Sequence, residues 1–132
     1  MSNASDSTGD SSSRMKIHFL DMGKTKYGDS IVVEVGAKRV LIDGGHPGDY
    51  ADRNGHLGIP SQLEKIFGQQ PPFKFSLLVV THCHSDHIGC LPRLVRERTV
   101  EAEWALVADE NLGFARTSDD SANPLFSDGV TE

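Results

Sequence analysis

The sequence is poor in the residues and segments that are typical of secreted and membrane proteins. Its two cysteines, Cys83 and Cys90, are too few for a disulfide framework and favour a reducing, cytoplasmic compartment. No run approaches the roughly 18 consecutive apolar residues of a membrane span, and no basic stretch precedes an apolar one as in a secretory signal. Lysine and arginine (13) are outnumbered by aspartate and glutamate (19), and the net charge of -6 argues against broad non-specific binding to nucleic acid, although a local basic patch would still permit it.

Residues 1–14 differ in composition from the rest of the chain. They include six serines, and their only apolar side chains are Met1 and Ala4. Such a segment buries too little apolar surface to offset the entropy of ordering it, so we predict a disordered leader. Its Ser2-Asn3-Ala4 is similar to the remnant of a cleaved expression tag. Residues 15–132 then hold one small domain.

The hydrophobic pattern after Met15 predicts an α/β fold that begins with antiparallel strands. Alternation over 16–20 predicts a first strand, and the apolar runs 31–35 and 38–43 predict a hairpin that turns at Gly36-Ala37. The sequence Ser-Gln-Leu-Glu from Ser61 is a capping-box pattern, which predicts a helix with Ser61 as its N-cap and Gly68 as its C-terminal stop.

The next segment predicts a buried strand followed by a helix. The nearly continuous apolar run 75–80 is typical of a strand that is covered on both faces. We expect a helix to begin just after Asp86, because Ile88, Leu91 and Val95 share one face at helical spacing. Residues 104–107 predict one more short strand.

The residues best suited to chemistry follow the buried strand. Three His and one Asp fall within six residues: His82, His84, Asp86 and His87. In an extended chain the first three point to the same side, and His87 swings round as the chain turns into the helix. Imidazole and carboxylate suit Zn²⁺, with Fe or Mn as alternatives, and ligands packed this closely favour two neighbouring ions. Cys83 alternates to the other side, so we interpret it as a small buried packing residue.

Residues 82–87, His-Cys-His-Ser-Asp-His, followed by Ile-Gly, resemble the signature of the metallo-β-lactamase fold superfamily. The flanking segments 19–23, 28–30 and 41–45 (Leu-Ile-Asp-Gly-Gly) have the order found in the branch that includes the C-terminal domain of bacterial DNA-uptake channel proteins and related stand-alone hydrolases. The resemblance covers about residues 15–94. It implies an αββα sandwich of which residues 15–132 form only the N-terminal half, because a two-sheet sandwich takes about 200 residues or more.

The resemblance also implies the roles of individual residues. His82 and His84 would bind one metal ion, and Asp86 with His87 would bind a second. Asp43, at the end of the third strand, would accept a hydrogen bond from a ligand imidazole and so hold its tautomer. A metal-activated hydroxide would attack an ester or phosphodiester, with Asp86 as the catalytic residue that holds the nucleophile. The substrate is then a small molecule or a phosphodiester, and the DNA-uptake resemblance favours the phosphodiester.

The sequence departs from the family pattern after His87. No further His follows, whereas the family completes its site with a third His, a bridging Asp and a final His. Later carboxylates lie in no recognisable ligand context: Asp109, Glu110, Asp119 and Asp120. The alternative hypothesis is therefore a truncated or inactive half-domain. It would act as a binding module, or would need a partner chain, such as a second copy in a homo-oligomer, to complete the site.

Overall fold

The computed structural model describes residues 14–24 and 27–108, which form one mixed β-sheet with helices. Its five strands lie in chain order: β1 (Met15–Phe19), β2 (Ile31–Val35), β3 (Lys38–Ile42), β4 (Phe73–Val80) and β5 (Val100–Val107). A 3-10 turn (Pro47–Tyr50) and helix α1 (Ile59–Phe67) connect β3 to β4, and helix α2 (Leu91–Arg96) connects β4 to β5. The predicted α/β class is confirmed. The predicted leader lies, apart from Arg14, outside the described residues.

The first three strands form the predicted antiparallel unit. Val33 of β2 pairs with Ile17 of β1 on one side and with Val40 of β3 on the other. The β2–β3 turn contains Gly36 at a φ of 57°, a backbone conformation that a side chain with Cβ adopts only at a cost. The hairpin predicted at Gly36-Ala37 is therefore confirmed.

The last three strands are parallel. Leu41 of β3 pairs with Leu78 of β4, which pairs in turn with Ala105 of β5. Parallel neighbours need a crossover connection, and α1 and α2 supply the two crossovers. Since the carboxyl ends of parallel strands meet at one edge of a sheet, the residues that follow β3 and β4 are brought together there.

The hydrophobic core lies between the helices and one face of the sheet. Leu41 of β3, Leu63 of α1 and Leu94 of α2 are fully buried within it. The ring of Phe67, at the end of α1, lies 5.8 Å from the rings of both Phe73 and Phe75. This packing fixes the helices against the sheet and thereby fixes the loops at its edge.

The opposite face of the sheet is apolar, and the described residues leave it open. One row crosses all five strands: Ile17, Val33, Val40, Leu77 and Trp104. In the described part of the chain Trp104 is 74% exposed, and Phe19 in the neighbouring row is 76% exposed. Leu77 and Val79 of β4 are only half-buried. The prediction that β4 is covered on both faces is therefore wrong for the residues described.

The start of α1 differs from the prediction. The helix begins at Ile59, after Gly58 as N-cap, so Ser61 lies inside its first turn. The Asp52 carboxylate instead accepts hydrogen bonds from the Gly58 N–H (2.8 Å) and the Ser61 hydroxyl (3.0 Å), and these two bonds, the Gly58 one first, lower the pKa of Asp52. A negative charge there suits the partial positive charge of a helix N-terminus. The predicted end is confirmed, since Gly68 adopts the left-handed conformation.

The helix after the histidine cluster also begins later than predicted. Residues 84–90 form hydrogen-bonded turns, in which the Ile88 N–H donates to the His84 carbonyl (2.9 Å) and the Leu91 N–H donates to that of Ile88 (2.9 Å). Gly89 has a φ of 37°, which a continuous helix does not allow, so α2 starts at Leu91.

Strand β5 starts at Val100, earlier than the predicted strand at 104–107, because its pairing with β4 extends back to Phe73. None of the helices in the described residues has the length and apolar character needed to cross a membrane.

Candidate metal centre

The histidine cluster lies at the carboxyl edge of the sheet. It follows directly on Val80, the last residue of β4, and precedes α2. The neighbouring strand β3 ends beside it, and the Asp43 N–H donates to the Val79 carbonyl (2.9 Å). The parallel β3–β4 pair therefore brings Asp43 to the cluster across more than 30 residues of intervening chain.

A glycine contact holds the turn after β3 against the cluster. A Cβ built on Gly89 would lie 1.7 Å from the Gly45 carbonyl oxygen, so the two backbones touch with no room for a side chain. The Gly44 N–H donates to the His87 carbonyl (2.5 Å), and the Cys90 N–H donates to the Gly44 carbonyl (3.2 Å). Backbone contact thus sets the distance between Asp43 and the His87 segment.

Asp43 is the buried acceptor of the site. It is 2% exposed and adopts a φ of 60°, which is uncommon outside glycine. Its Oδ2 lies 2.9 Å from Nδ1 of His87 and accepts a hydrogen bond from the Thr81 hydroxyl (2.5 Å), while its Oδ1 accepts one from the Thr81 N–H (2.8 Å). The Ser30 hydroxyl donates to the Asp43 carbonyl (2.9 Å). These bonds satisfy the buried carboxylate and hold its unusual backbone conformation.

Three of the four residues expected to bind metal form one compact group. His82, His84 and Asp86 each offer a ligand atom, and these atoms all lie within 4.8 Å of one another. His87 lies beside them: its ring centroid is 3.7 Å from that of His82, and its Nε2 is 3.6 Å from Oδ2 of Asp86. The predicted ligand pairs were His82 with His84 and Asp86 with His87. In the structure Asp86 lies near the first two imidazoles as well as near His87, so it is shared between the two predicted pairs.

The donor set fits a divalent metal ion. Two imidazoles and a carboxylate are the ligands found in many catalytic zinc sites, and the same donors suit iron and manganese. A tetrahedral ion at about 2.0–2.1 Å from each ligand separates the ligand atoms by about 3.4 Å. In the structure the ligand atoms lie within 4.8 Å of one another, and His84 is the exposed member of the group. The late carboxylates from Asp109 onward lie outside the described residues.

Asp29 also lies at the site, although its segment predicted no individual role for it. Its Oδ2 lies 3.8 Å from Nδ1 of His87, and its N–H donates to the Asp86 carbonyl (3.2 Å). Its own carbonyl accepts a hydrogen bond from the Gly45 N–H (2.8 Å). The only signal in the sequence was its place just before β2, within the Gly-Asp-Ser segment at 28–30.

The two cysteines lie apart from the ligand group. Cys83 is exposed and its thiol donates to the Ala108 carbonyl (3.3 Å), so the prediction that it is buried is wrong for the described residues. Cys90 is buried, and burial, followed by the nearby charge of Asp49, raises the pKa of its thiol to about 12. Cys90 is therefore an uncharged packing residue at neutral pH.

A cavity in the described part of the chain lies away from the histidine cluster. It measures about 670 Å³ and lies beside the end of β1, α1 and residues 53–57, where it is lined by His18, Arg53, His56 and Lys65 among others. The cluster instead lies on the open edge of the sheet. We place the functional site at the cluster, because ligand chemistry converges there and cavity size alone carries no chemistry.

The comparisons with known proteins concern the same region. A family model described as the metallo-beta-lactamase superfamily matches residues 23–116, a range that includes β2 to β5 and the whole histidine cluster. None of the curated proteins matches the chain.

We predict that Gly89→Ala destabilises the protein and weakens metal binding. The added Cβ would overlap the Gly45 carbonyl, and the residue must also hold a positive φ. Gly55→Ala is the matched control, because Gly55 has a φ of 73° but nothing within 4 Å of its Cβ. The control should lose about 1–2 kcal/mol in denaturant unfolding, from backbone strain alone. An equal loss in the two variants would show that the Gly89–Gly45 contact is unimportant.

We predict that Cys90 makes the protein less stable at alkaline pH. The thiol keeps its proton to about pH 12 in the folded protein, whereas the unfolded chain releases it near pH 8.5. The stability that the buried, protonated thiol contributes is fully present below about pH 8.5 and is lost as pH rises toward 12. The unfolding constant changes by up to about tenfold per pH unit over this range. Denaturant unfolding of the protein and of Cys90→Ala between pH 8 and 11 measures this, and identical slopes would contradict it.

Proposed function

Because the chain belongs to the metallo-beta-lactamase superfamily, we propose that it is a metal-dependent hydrolase that cleaves an ester or a phosphodiester. The observation that carries this proposal is the His82–His84–Asp86 group, whose ligand atoms lie within 4.8 Å of one another. The group stands at the carboxyl edge of a partly parallel sheet, where substrate sites are commonly built in α/β proteins.

The residues of the group would have different roles in the proposed reaction. His82, His84 and Asp86 would hold a divalent ion, which would supply a lowered pKa of bound water and a positive charge to polarise a substrate oxygen. His82 and His84 supply neutral nitrogen donors, whereas Asp86 supplies negative charge. The Asp86 side chain is 35% exposed, so its carboxylate would be accessible both to a bound ion and to solvent water. We therefore propose Asp86 as the catalytic residue that holds the nucleophile.

We propose zinc as the metal, with two ions bound. His82 and His84 would hold the first ion, and Asp86 with His87 would hold the second. The His82 and His87 rings lie 3.7 Å apart, so the two proposed sites would be neighbours. Manganese and iron remain alternatives, since the same donors bind them.

For the substrate, we propose a phosphodiester in preference to a lactone, thioester or β-lactam. The support is the resemblance of segments 19–23, 28–30 and 41–45 to the DNA-uptake branch. Two residues of these segments, Asp29 and Asp43, lie at the site.

For the compartment, we propose the cytoplasm. The support is that both Cys83 and Cys90 are free thiols, which a reducing environment maintains.

A second candidate function is that of a half-site that a partner chain completes. It is favoured by the apolar sheet face, on which Trp104 is 74% and Phe19 76% exposed in the described part of the chain. Exposed patches of this kind commonly mark interaction surfaces. A partner that covers this face, such as a second copy, would also be placed near the carboxyl edge and could supply further ligands.

We predict that purified protein contains zinc, manganese or iron and that His84→Ala abolishes most of it. The substitution removes one of the three donors of the group and leaves His82 as the only imidazole proposed for the first ion. His18→Ala is the control, because His18 bonds Glu34 (2.8 Å) on the sheet, away from the group. Elemental analysis of the three proteins measures the effect, and metal content unchanged by His84→Ala would refute the proposed site.

We predict that the metal-loaded protein hydrolyses bis(p-nitrophenyl) phosphate faster than nitrocefin or a simple lactone. Asp86→Asn should lower the rate about 10²–10⁴-fold, because the amide no longer accepts the proton of the attacking water. Rates measured with and without added Mn²⁺ distinguish a variant that has lost bound metal from one that has lost the chemical step. Hydrolysis of only nitrocefin or only the lactone would contradict the proposed phosphodiester substrate and would indicate the class of the compound that is hydrolysed. An absence of turnover with every substrate in a fully loaded sample would favour the half-site.

A further inference from the structure

Thr81 lies between the buried acceptor of the site and the first histidine of the cluster. Its hydroxyl oxygen is 2.5 Å from Oδ2 of Asp43 and 3.0 Å from Nδ1 of His82. Its backbone N–H donates to Oδ1 of the same carboxylate (2.8 Å). Thr81 is therefore tied to Asp43 twice, through main chain and side chain, while the hydroxyl also touches His82.

The positions of the protons in this chain of contacts follow from elementary donor counting. A carboxylate only accepts hydrogen bonds, and a threonine hydroxyl carries a single proton. The Thr81 proton must therefore point at Asp43, which leaves the hydroxyl oxygen as an acceptor toward His82. The His82 ring then has to donate from Nδ1, so its Nε2 carries the free lone pair.

His87 has the same Nδ1-protonated tautomer, but it contacts Asp43 directly. Its Nδ1 lies 2.9 Å from Oδ2 of Asp43, where it can only donate, and its Nε2 faces Asp86 at 3.6 Å. One buried carboxylate thus orders two imidazoles, directly for His87 and through a hydroxyl for His82. His84, the third imidazole of the cluster, stands outside this network.

We propose that Thr81 is a positioning residue that holds His82 in the Nδ1-protonated tautomer and so presents its Nε2 to the metal. This inference rests on the proposed metal site. Groups that fix the tautomer and orientation of a ligand histidine typically change metal affinity about 10–100-fold. Thr81 can do this because it directly follows β4, whose parallel pairing with β3 keeps it opposite Asp43.

The test compares three variants with the unchanged protein. Thr81→Val keeps the branched shape and removes the hydroxyl, whereas Thr81→Ser keeps the hydroxyl. Thr99→Val makes the same chemical change at a hydroxyl that lies 3.5 Å from the Tyr50 hydroxyl, outside the cluster. The Thr81 side chain is exposed, so we expect Thr81→Val to fold, and circular dichroism checks this. If Thr81→Val does not fold, Thr81→Ala replaces it as the variant without the hydroxyl.

The first readout is the tautomer, measured by ¹⁵N NMR of the ring nitrogens in metal-free protein at a pH where the imidazoles are neutral. His82 should show one Nδ1–H tautomer in the unchanged protein and in Thr81→Ser, and a mixture in Thr81→Val. His87 should keep its Nδ1–H tautomer throughout. The second readout is Zn²⁺ affinity against a competing chelator, which should fall about 10–100-fold in Thr81→Val and stay within a few-fold in the other two.

A His82 tautomer that is the same in Thr81→Val as in the unchanged protein would overturn the inference, and so would an unchanged zinc affinity. Failure of the unchanged protein to bind zinc, manganese or iron would refute the proposed metal site instead. In that case the tautomer measurement, which needs no metal, still decides whether Thr81 orders His82.

Discussion

The site depends on the burial of one carboxylate, Asp43, at the end of β3. A carboxylate that is 2% exposed is stable only when its oxygens are bonded, and here the partners are Thr81 and His87. Both partners belong to the segment that follows β4. The need to satisfy Asp43 therefore ties two strand ends together and orients imidazoles in the same step. The glycines at 44, 45 and 89 permit this, because they let the backbones come close enough for those bonds to form.

The sheet gives this arrangement its rigidity and leaves one surface open. On one face α1 and α2 bury Leu41, Leu63 and Leu94, so the strands that carry Asp43 and the histidines cannot shift independently. The other face carries apolar side chains with nothing over them in residues 14–24 and 27–108, Trp104 most prominently. The ligand group lies at the carboxyl edge of the same sheet, directly after β4.

Much of the fold was predictable, and the errors have identifiable causes. The hairpin at Gly36, the stop at Gly68 and the strand before Thr81 follow from local preferences, and the structure confirms them. The N-cap at Ser61 was wrong because Asp52, from the preceding loop, takes the hydroxyl that the capping box requires. The helix start after Asp86 was wrong because Gly89 bends the chain to pass Gly45. In each error a contact from outside the local window decided the outcome.

The sequence by itself determined which atoms are available for chemistry: three imidazoles and a carboxylate within six residues, placed just after an apolar strand. It also determined the family, because that spacing is carried by adjacent residues. Only the tertiary structure decided which groups meet those ligands. Asp29 and Asp43 approach His87 across tens of residues, and Thr81 bonds Asp43, 38 positions away, as well as its neighbour His82. Periodicity records which way a side chain points from its own strand, whereas these contacts depend on which strands pair and in what register, and that is set by packing.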